Sequence, residues 1–235
     1  MPLDVNGNSI TSGTVKMFND TNIVLSGLTY AFDAGIGNSY PGSGTSWYEW
    51  VSNGTTATLT NGPTQSNDGG GSILLDGGND YVEVPTRSIG APWTIQMWIK
   101  PSSSGGGLHS HWSGGPVGHG FFLDANRLAF AYYNGDWRYV YCSASNSVPT
   151  GVWSNVAVSL SGSNPINFWV NGRLTSTQTV TNGVGGFAWG SIGILWGWNY
   201  FQGHIAQCLT YSGTNIGQAG IFQNYQSTKV RFGLA

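Results

Sequence analysis

Apolar and polar residues alternate along short segments of the chain, and turns separate these segments. The clearest case is residues 151–174, GVWSNVAVSLSGSNPINFWVNGRL. One strand places aliphatic side chains on a single face, and a second does so after a turn over Ser161–Pro165. These side chains are Val152, Val156, Val158 and Leu160, then Ile166, Phe168 and Val170. Asn171-Gly172 then supplies the positive φ values of a tight hairpin turn. The segment therefore predicts antiparallel strands.

Similar alternation predicts strands elsewhere, spaced by turn residues. They are residues 28–34, 56–60, 72–76, 80–84, 93–100, 120–124, 127–133, 137–142, 191–196 and 203–211. Asn215–Thr228 alone has the pattern of a helical turn or two. Short strands at this spacing favour an all-β fold, a two-sheet antiparallel sandwich, with a short helical turn near the C-terminus.

The composition narrows the classes of partner. Only 8% of the 235 residues are charged, and the net charge is -2. Nucleic-acid and polybasic membrane surfaces need clustered Lys and Arg, so neither partner is expected. The two cysteines, Cys142 and Cys208, lie in apolar strand-like segments. This placement favours buried free thiols over a disulfide.

The first 27 residues differ from the rest, because Phe18 is their only aromatic residue and alternation begins only at Ile23. We expect an N-terminal arm over residues 1–27 and one domain over residues 28–235. The arm is a disordered leader, an extra edge strand, or an attachment segment that a partner orders. It lacks a basic segment followed by an apolar one, so no signal peptide is expected. No apolar stretch reaches ~18 residues, as a membrane span requires.

Several segments together resemble one family. They are LTYAFDAGIGNSYPGSGTSWYEW (28–50), NGPT (61–64), GGSILLDGGNDYVEVP (70–85), APWTIQMWIKP (91–101), GVWSNVAVSLSGSNPINFWVNGR (151–173) and FQGHIAQCLTYSGTNIGQAGIFQNYQSTKVRFG (201–233). Their order and content are similar to the laminin-G-like, concanavalin A-like jelly rolls of bacteriophage structural proteins. The ending Lys-x-Arg-Phe-Gly is especially like the phage proteins. The resemblance covers residues 28–235 and implies a jelly-roll sandwich.

The stretch Gly70–Pro85 places Asp76 and Asp80 around Gly-Gly-Asn. Both a turn and a calcium site would use aspartates in this way. Asp side chains bond to nearby backbone in turns, whereas calcium takes about six to eight oxygen ligands. The family resemblance implies two consecutive core strands joined by a short turn. We therefore favour a turn, and we expect no metal or other cofactor.

The resemblance raises the question of catalysis, because concanavalin A-like jelly rolls include glucanases with Glu-x-Asp-x-Glu on one strand. This chain has two glutamates, Glu49 and Glu83, in separate segments. Asp124 and Asp136 could approach each other across a hairpin, as the paired carboxylates of a glycosidase do. There is neither a Gly-x-Ser-x-Gly elbow nor a Walker loop. We expect no enzymatic activity and no catalytic residues.

Three of the four histidines lie in residues 108–122, LHSHWSGGPVGHGFF. On a strand, His109 and His111 would project from one face, as metal ligands can. The glycine-rich flanks instead favour solvent-facing histidines in a loop.

Aromatic residues are dense in YYNGDWRYVY (132–141) and WGWNYF (196–201). Trp196 continues the face of Ile192 and Ile194, so we assign it to the core. The Asn134–Asp136 turn leaves Tyr133 or Trp137 near a sandwich rim, and Trp198 and Tyr200 fall in the loop after Trp196. Rim rings beside amides and carboxylates suit sugars. The candidate carbohydrate-binding residues are Tyr133, Asp136, Trp137, Trp198, Asn199 and Tyr200. Packing under long loops, or a subunit interface, is the alternative.

The phage resemblance implies a non-enzymatic virion structural protein, assembled in the host cytoplasm. The expected role is a capsid decoration or cement protein on the head surface. Its expected partners are the major capsid protein or other virion subunits, further copies of itself in a trimer, and host glycans. The alternative is a carbohydrate-binding, lectin-like module of a tail fibre or another surface adhesin.

Overall fold

A computed structural model describes residues 22–51, 54–112, 118–180 and 184–235. These residues form two antiparallel sheets that pack face to face, as expected for a β-sandwich. The strands are β1 (Leu28–Asp33), β2 (Ser46–Tyr48), β3 (Thr56–Thr60), β4 (Thr64–Ser66), β5 (Ser72–Asp76), β6 (Tyr81–Ile89), β7 (Trp93–Pro101), β8 (Gly106–Trp112), β9 (Gly118–Asp124), β10 (Arg127–Tyr133), β11 (Trp137–Tyr141), β12 (Ser154–Leu160), β13 (Ile166–Val170), β14 (Arg173–Gln178), β15 (Phe187–Ile192), β16 (Ile194–Leu195), β17 (Asn199–Tyr200) and β18 (Gln202–Ser212).

The first sheet has the order β14-β13-β12-β7-β18-β5-β4, and β1 pairs with β18 beside β5. The second sheet has the order β11-β10-β9-β8-β15-β6-β3-β2. Strands β16 and β17 form a separate two-stranded hairpin. The all-β sandwich predicted from the alternation is therefore confirmed.

The facing sides of the two sheets enclose the main hydrophobic core. Its fully buried side chains include Phe32, Trp47, Ile73, Trp93, Ile95, Phe121, Phe130, Val158 and Phe168. Burying a side chain of this size contributes about 1.5–3 kcal/mol to folding, so the core needs no disulfide. Cys142 and Cys208 are both buried free thiols, as predicted, and burial raises the pKa of Cys208 to about 12.

The C-terminal segment covers the outer face of the first sheet. Helix α1 spans Gly217–Thr228, and a short 3₁₀ helix follows over Lys229–Phe232. Ile221 packs against Ala157 and Trp169 of the sheet. Asn224 donates to Gln96 Oε1 at 2.8 Å, which fixes the helix over the sheet. This helix is longer than the turn or two predicted, because its buried polar and apolar contacts offset its glycines. No described helix is long and apolar enough to cross a membrane.

Most predicted strands are present within one or two residues of the expected bounds. The prediction of a loop around His109 and His111 was wrong, because β8 occupies Gly106–Trp112 in the middle of the second sheet. The predicted strand 191–196 is broken into β15 and β16. Val152 also differs from its prediction: it precedes β12 and is 46% exposed. The Asn171-Gly172 turn is confirmed, with φ values of 49° and 73°.

The Asp76–Asp80 segment is a turn, but it does not close a hairpin. β5 belongs to the first sheet and β6 to the second, so the turn connects the two sheets. Asp76 Oδ1 accepts the backbone N–H of Gly78 at 2.7 Å, and Asp80 Oδ2 accepts that of Asp76 at 3.2 Å. Backbone hydrogen bonds to its carboxylate, first of all the one from Gly78, lower the pKa of Asp76. The two carboxylates therefore hold the turn in shape, as one of the two alternatives predicted.

The last residues of the expected N-terminal arm pack against the sandwich. Ile23 is 4% exposed and contacts a cluster on the outer face of the first sheet, formed with Ala31, Leu209 and Tyr211. The Val24 N–H donates to Asn224 Oδ1 at 2.8 Å. Residues 1–21, which hold the rest of the expected arm, lie outside the described part of the chain.

Candidate functional site

The β16–β17 hairpin lies on the outer face of the second sheet, above β8 and β9. Gly107 and Gly120 permit this approach, because a Cβ atom on Gly107 would overlap the backbone of Ile194 and Leu195. A Cβ atom on Gly120 would overlap the Leu195 side chain. Ser110 Oγ also donates to the Ile194 carbonyl at 2.7 Å. The two glycines thus leave space for the hairpin, and the Ser110 hydrogen bond attaches the hairpin to the sheet.

Trp196 projects from this hairpin onto the sheet surface. The residue has a positive φ of 56°, which redirects the chain away from the alternation of the preceding strand. It packs against an outer-face cluster of Phe122, Ala129, Ala131 and Leu195. The prediction that Trp196 belongs to the core was wrong, because a positive φ in a tryptophan has no reliable local sequence pattern.

Trp196 and four nearby rings form what we call the aromatic face: Tyr133, Trp137, Tyr139, Trp196 and Trp198. The ring centroids of Trp196 and Trp137 are 4.7 Å apart, and those of Trp196 and Tyr139 are 5.8 Å apart. Trp198 lies 6.5 Å from Trp196 and is 68% exposed. The aromatic face therefore joins the two aromatic segments of the sequence into one surface with Trp196 at its centre.

The structure brings the six candidate site residues onto the same side of the sandwich. Tyr133 and Trp137 are cross-strand partners, with ring centroids 5.7 Å apart. Asp136 Oδ1 accepts the backbone N–H of Trp137 at 2.8 Å, which makes Asp136 a turn residue. Asn199 and Tyr200 form β17. Trp196 and Tyr139 were missed, and only their proximity in the fold connects them to the others.

A cleft of about 340 Å³ lies on the other side of the hairpin. Its lining combines rings with short polar side chains. It comprises Tyr81, Glu83, Val84, Thr86, Ser110, His111, Gly190, Ser191, Ile194, Trp196, Gly197 and Tyr200. Trp196 lines this cleft and also belongs to the aromatic face. The cleft and the aromatic face are therefore two adjacent parts of one surface.

Strand register places polar side chains side by side on the cleft floor. Glu83 of β6 pairs with Thr58 of β3 and with Ser191 of β15, and Ser191 pairs with Ser110 of β8. Val82 and Val84 point into the core, so Glu83 between them points outward and is exposed. Burial lowers the pKa of His111, which keeps this imidazole neutral at pH 7. The cleft thus presents one carboxylate among neutral hydroxyl groups.

The other two histidines of residues 108–122 lie inside the sandwich. His109 and His119 are fully buried, and His109 Nδ1 lies 3.0 Å from His119 Nε2. Desolvation lowers the pKa of His109 to about 3 and that of His119 well below 6.5. The solvent-facing prediction was therefore wrong for these two. Within the described ranges, no group of three or more His, Cys, Asp or Glu side chains could hold a metal ion.

The arrangement of acidic residues does not match glycoside hydrolysis. Asp124 ends β9 and Asp136 lies in the β10–β11 turn, so the length of β10, roughly 20 Å, separates them. The two aspartates therefore do not approach each other across a hairpin. Glu83 is the one carboxylate among the residues that line the cleft. A glycosidase normally places two carboxyl groups about 5–9.5 Å apart.

A serine, a histidine and an aspartate do come together beneath the C-terminal segment. Ser72 Oγ lies 3.1 Å from His204 Nδ1, and His204 Nε2 lies 3.9 Å from Asp68 Oδ2. The second distance is too long for a hydrogen bond, and Ser72 is fully buried. Asp68 instead pairs with Lys100 at 2.8 Å. This cluster therefore lacks the geometry of a catalytic triad.

Comparisons with known proteins agree with the two-sheet architecture. A model of the family described as the concanavalin A-like lectin/glucanases superfamily matches residues 76–214. No curated protein matched the chain.

Similar solved structures include domain 4 of a GH43 extracellular arabinanase from Geobacillus stearothermophilus, in complex with arabinotriose. It has a TM-score of 0.67 at 16% identity, over 85% of this chain and 98% of that one. The binding domain of Paraclostridial mosquitocidal protein 1 has a TM-score of 0.65 at 13% identity, and the match covers 86% of this chain and 52% of that one. The botulinum neurotoxin type G receptor-binding domain has a TM-score of 0.60 at 12% identity, and the match covers 85% of this chain and 51% of that one. The chain spans about half the length of these two toxin domains.

Proposed function

The chain belongs to the concanavalin A-like lectin/glucanases superfamily, and from this premise we propose that it is a carbohydrate-binding module without catalytic activity. One observation carries the proposal: the aromatic face and the polar cleft meet at Trp196 on a single exposed surface. This arrangement matches known ligand sites, which combine apolar and aromatic side chains with a small number of polar groups.

The two parts of the surface would make different contacts with a sugar. Exposed rings such as Trp198 and Tyr139 offer their faces to the C–H groups of a sugar ring. Hydroxyl and carboxylate oxygens in the cleft would accept or donate hydrogen bonds to sugar hydroxyls. Apolar stacking supplies contact area, and the polar groups select the orientation of the sugar.

Two of the structural neighbours support a binding role. One is an arabinanase domain solved with arabinotriose, and another is the receptor-binding domain of a neurotoxin. At identities of 16% and below, this support concerns the fold that such proteins use and not the ligand.

A location in a virion is a finer hypothesis, and it comes from the sequence resemblance alone. Under it, the module would decorate a capsid or a fibre, with virion subunits and further copies of itself as partners. None of the comparisons reported above involves a bacteriophage protein. Copurification of the chain with intact particles would support this location.

The decisive experiment is a glycan array with the purified chain, in the presence and absence of a calcium chelator. We expect binding to at least one class of oligosaccharide, and we expect the chelator to leave that binding unchanged. A folded protein that binds no glycan would contradict the proposed function.

A further inference from the structure

We propose that the cleft is a subsite for an uncharged sugar unit, and that Glu83 excludes acidic sugars from it. This inference rests on the carbohydrate-binding function proposed above and deepens it. It concerns the cleft beside Trp196 and not the aromatic face on the other side of the hairpin.

The position of Glu83 follows from the alternation of β6. Its neighbours Val82 and Val84 are buried in the core, so the Glu83 side chain must leave the sheet on the outer face. There it is exposed and flanked across the strands by Thr58 and Ser191. Neither neighbour carries a charge. The carboxylate therefore faces the cleft, where its oxygens can accept hydrogen bonds from hydroxyl donors.

No cation among the described lining residues compensates this carboxylate. The lining contains neither Lys nor Arg. Arg87 of the same strand is engaged elsewhere, because its Nη2 donates to Thr55 Oγ1 at 3.2 Å and its guanidinium lies 5.0 Å from the centre of the Tyr30 ring. His111, the remaining titratable group with a basic side chain, is kept neutral by its burial. The cleft consequently carries one negative charge at neutral pH.

This charge distinguishes two classes of sugar. A carboxylate accepts strong hydrogen bonds from the hydroxyl groups of a neutral sugar unit. A uronate or a sialate would bring a second carboxylate into the cleft without a cation between the two. Like charges brought together at an interface are strongly unfavourable, and the protein surface around the cleft screens them less than bulk water does.

The size of the cleft limits how much of a ligand can be repelled by Glu83. Its volume of about 340 Å³ is at the low end of the range for small-ligand sites, so it holds a short part of an oligosaccharide. The remainder would extend past Trp196 over the aromatic face. Exclusion of charge therefore applies to the unit in the cleft.

The test compares oligosaccharides that differ only in charge. Suitable pairs on one array are oligogalacturonides in free-acid and fully methyl-esterified form, and sialyllactose beside its carboxyl methyl ester. Titration calorimetry then measures Kd for each neutral glycan that binds and for its acidic counterpart. We expect the neutral member of each pair to bind at least about tenfold more tightly. Glu83→Gln should reduce this ratio to near one and preserve binding of the neutral member.

Asp124→Asn is the matched control, because it also removes one partly exposed carboxylate but lies at the far end of β9. It should leave the ratio unchanged. Equal or tighter binding of the acidic members by the unaltered chain would overturn this inference and leave the carbohydrate-binding function standing. A ratio unaffected by Glu83→Gln would overturn the role of Glu83. Failure to bind any glycan would overturn both proposals.

Discussion

Arg231 holds the carboxylate of Asp33 in the interior of the protein, across a separation of 198 residues. Its Nη1 donates to both carboxylate oxygens, at 2.6 and 2.7 Å. Its other nitrogens donate to the carbonyl oxygens of Gly69 and Gly71, at 2.6 and 2.7 Å. The Lys-x-Arg-Phe-Gly ending thus fastens the C-terminal segment to β1 and to the loop before β5.

Replacing Arg231 should therefore cost much stability. Arg231→Met leaves Asp33 buried without its cation, and we expect a loss of about 3–5 kcal/mol in the free energy of unfolding. Urea denaturation measures this change. Arg127→Met is the control, because Arg127 forms a partly exposed pair with Asp124 and its loss should cost no more than about 1 kcal/mol. Equal effects of the two substitutions would contradict the importance of the buried pair.

The aromatic face gives a direct test of sugar binding. Trp198→Ala and Trp137→Ala each remove a ring, and each should weaken glycan binding about tenfold or more, because interface rings are frequent binding hot spots. Phe222→Ala is the control, since Phe222 is 41% exposed on α1, which packs on the other sheet. Calorimetry with the glycan found on the array provides the measurement. Unchanged glycan affinity in both tryptophan variants would rule out the aromatic face as the sugar-binding surface.

Gly107 tests whether the β16–β17 hairpin must lie on the sheet. Gly107→Ala introduces a Cβ that overlaps the hairpin backbone, so the hairpin has to move and the cleft wall moves with it. We expect glycan affinity to fall, with a changed near-UV circular dichroism spectrum from the displaced tryptophans. Gly37→Ala meets nothing within 4 Å and should change neither quantity. An unaltered spectrum for Gly107→Ala would show that the hairpin can lie on the sheet without a glycine at position 107.

The buried histidines predict how stability depends on pH. The pKa values of His109 and His119 are lowered from 6.5 by burial, so the unfolded state binds more protons below that pH. Their contribution to stability is complete above pH 6.5 and is lost as the pH falls towards about 3. Each should contribute a slope of up to about 1.4 kcal/mol per pH unit.

Urea denaturation between pH 7.5 and about 5 measures this slope, because most carboxylates remain ionised there. The variant His109→Gln/His119→Gln should have a flatter profile than the unaltered chain. His111 and His204 remain in both proteins, so their own contributions cancel in the comparison. Parallel profiles would contradict the burial of the pair in solution.

The N-terminal contact at Ile23 should contribute to folding. Ile23 is 4% exposed and Leu25, two residues later, is 60% exposed, which makes them a matched pair. Ile23→Ala should lower the free energy of unfolding by about 2–4 kcal/mol, because it leaves a cavity. Leu25→Ala should stay within about 0.5 kcal/mol. Similar values for both would indicate that residues 22–27 do not pack on the sheet in solution.

Strand positions could be predicted because alternation is a local property. Ile73 and Leu75 are fully buried, whereas Leu74 between them is 36% exposed, as their alternation predicts. β8 could not be predicted in this way, because its small residues and histidines resemble a loop. His109 is buried in part because β8 lies between β9 and β15, and β15 comes from a distant part of the sequence.

The sequence by itself determined the two-sheet architecture and most of the core, because burial of every second side chain is encoded residue by residue. It also identified the two aromatic segments. Tertiary structure alone decided that they meet, since Trp196 leaves the strand pattern and packs between Trp137 and Trp198. Likewise, Glu83 lines a cleft only because β6 and β15 pair in one particular register. Both features depend on non-local pairing, which no short segment of sequence specifies.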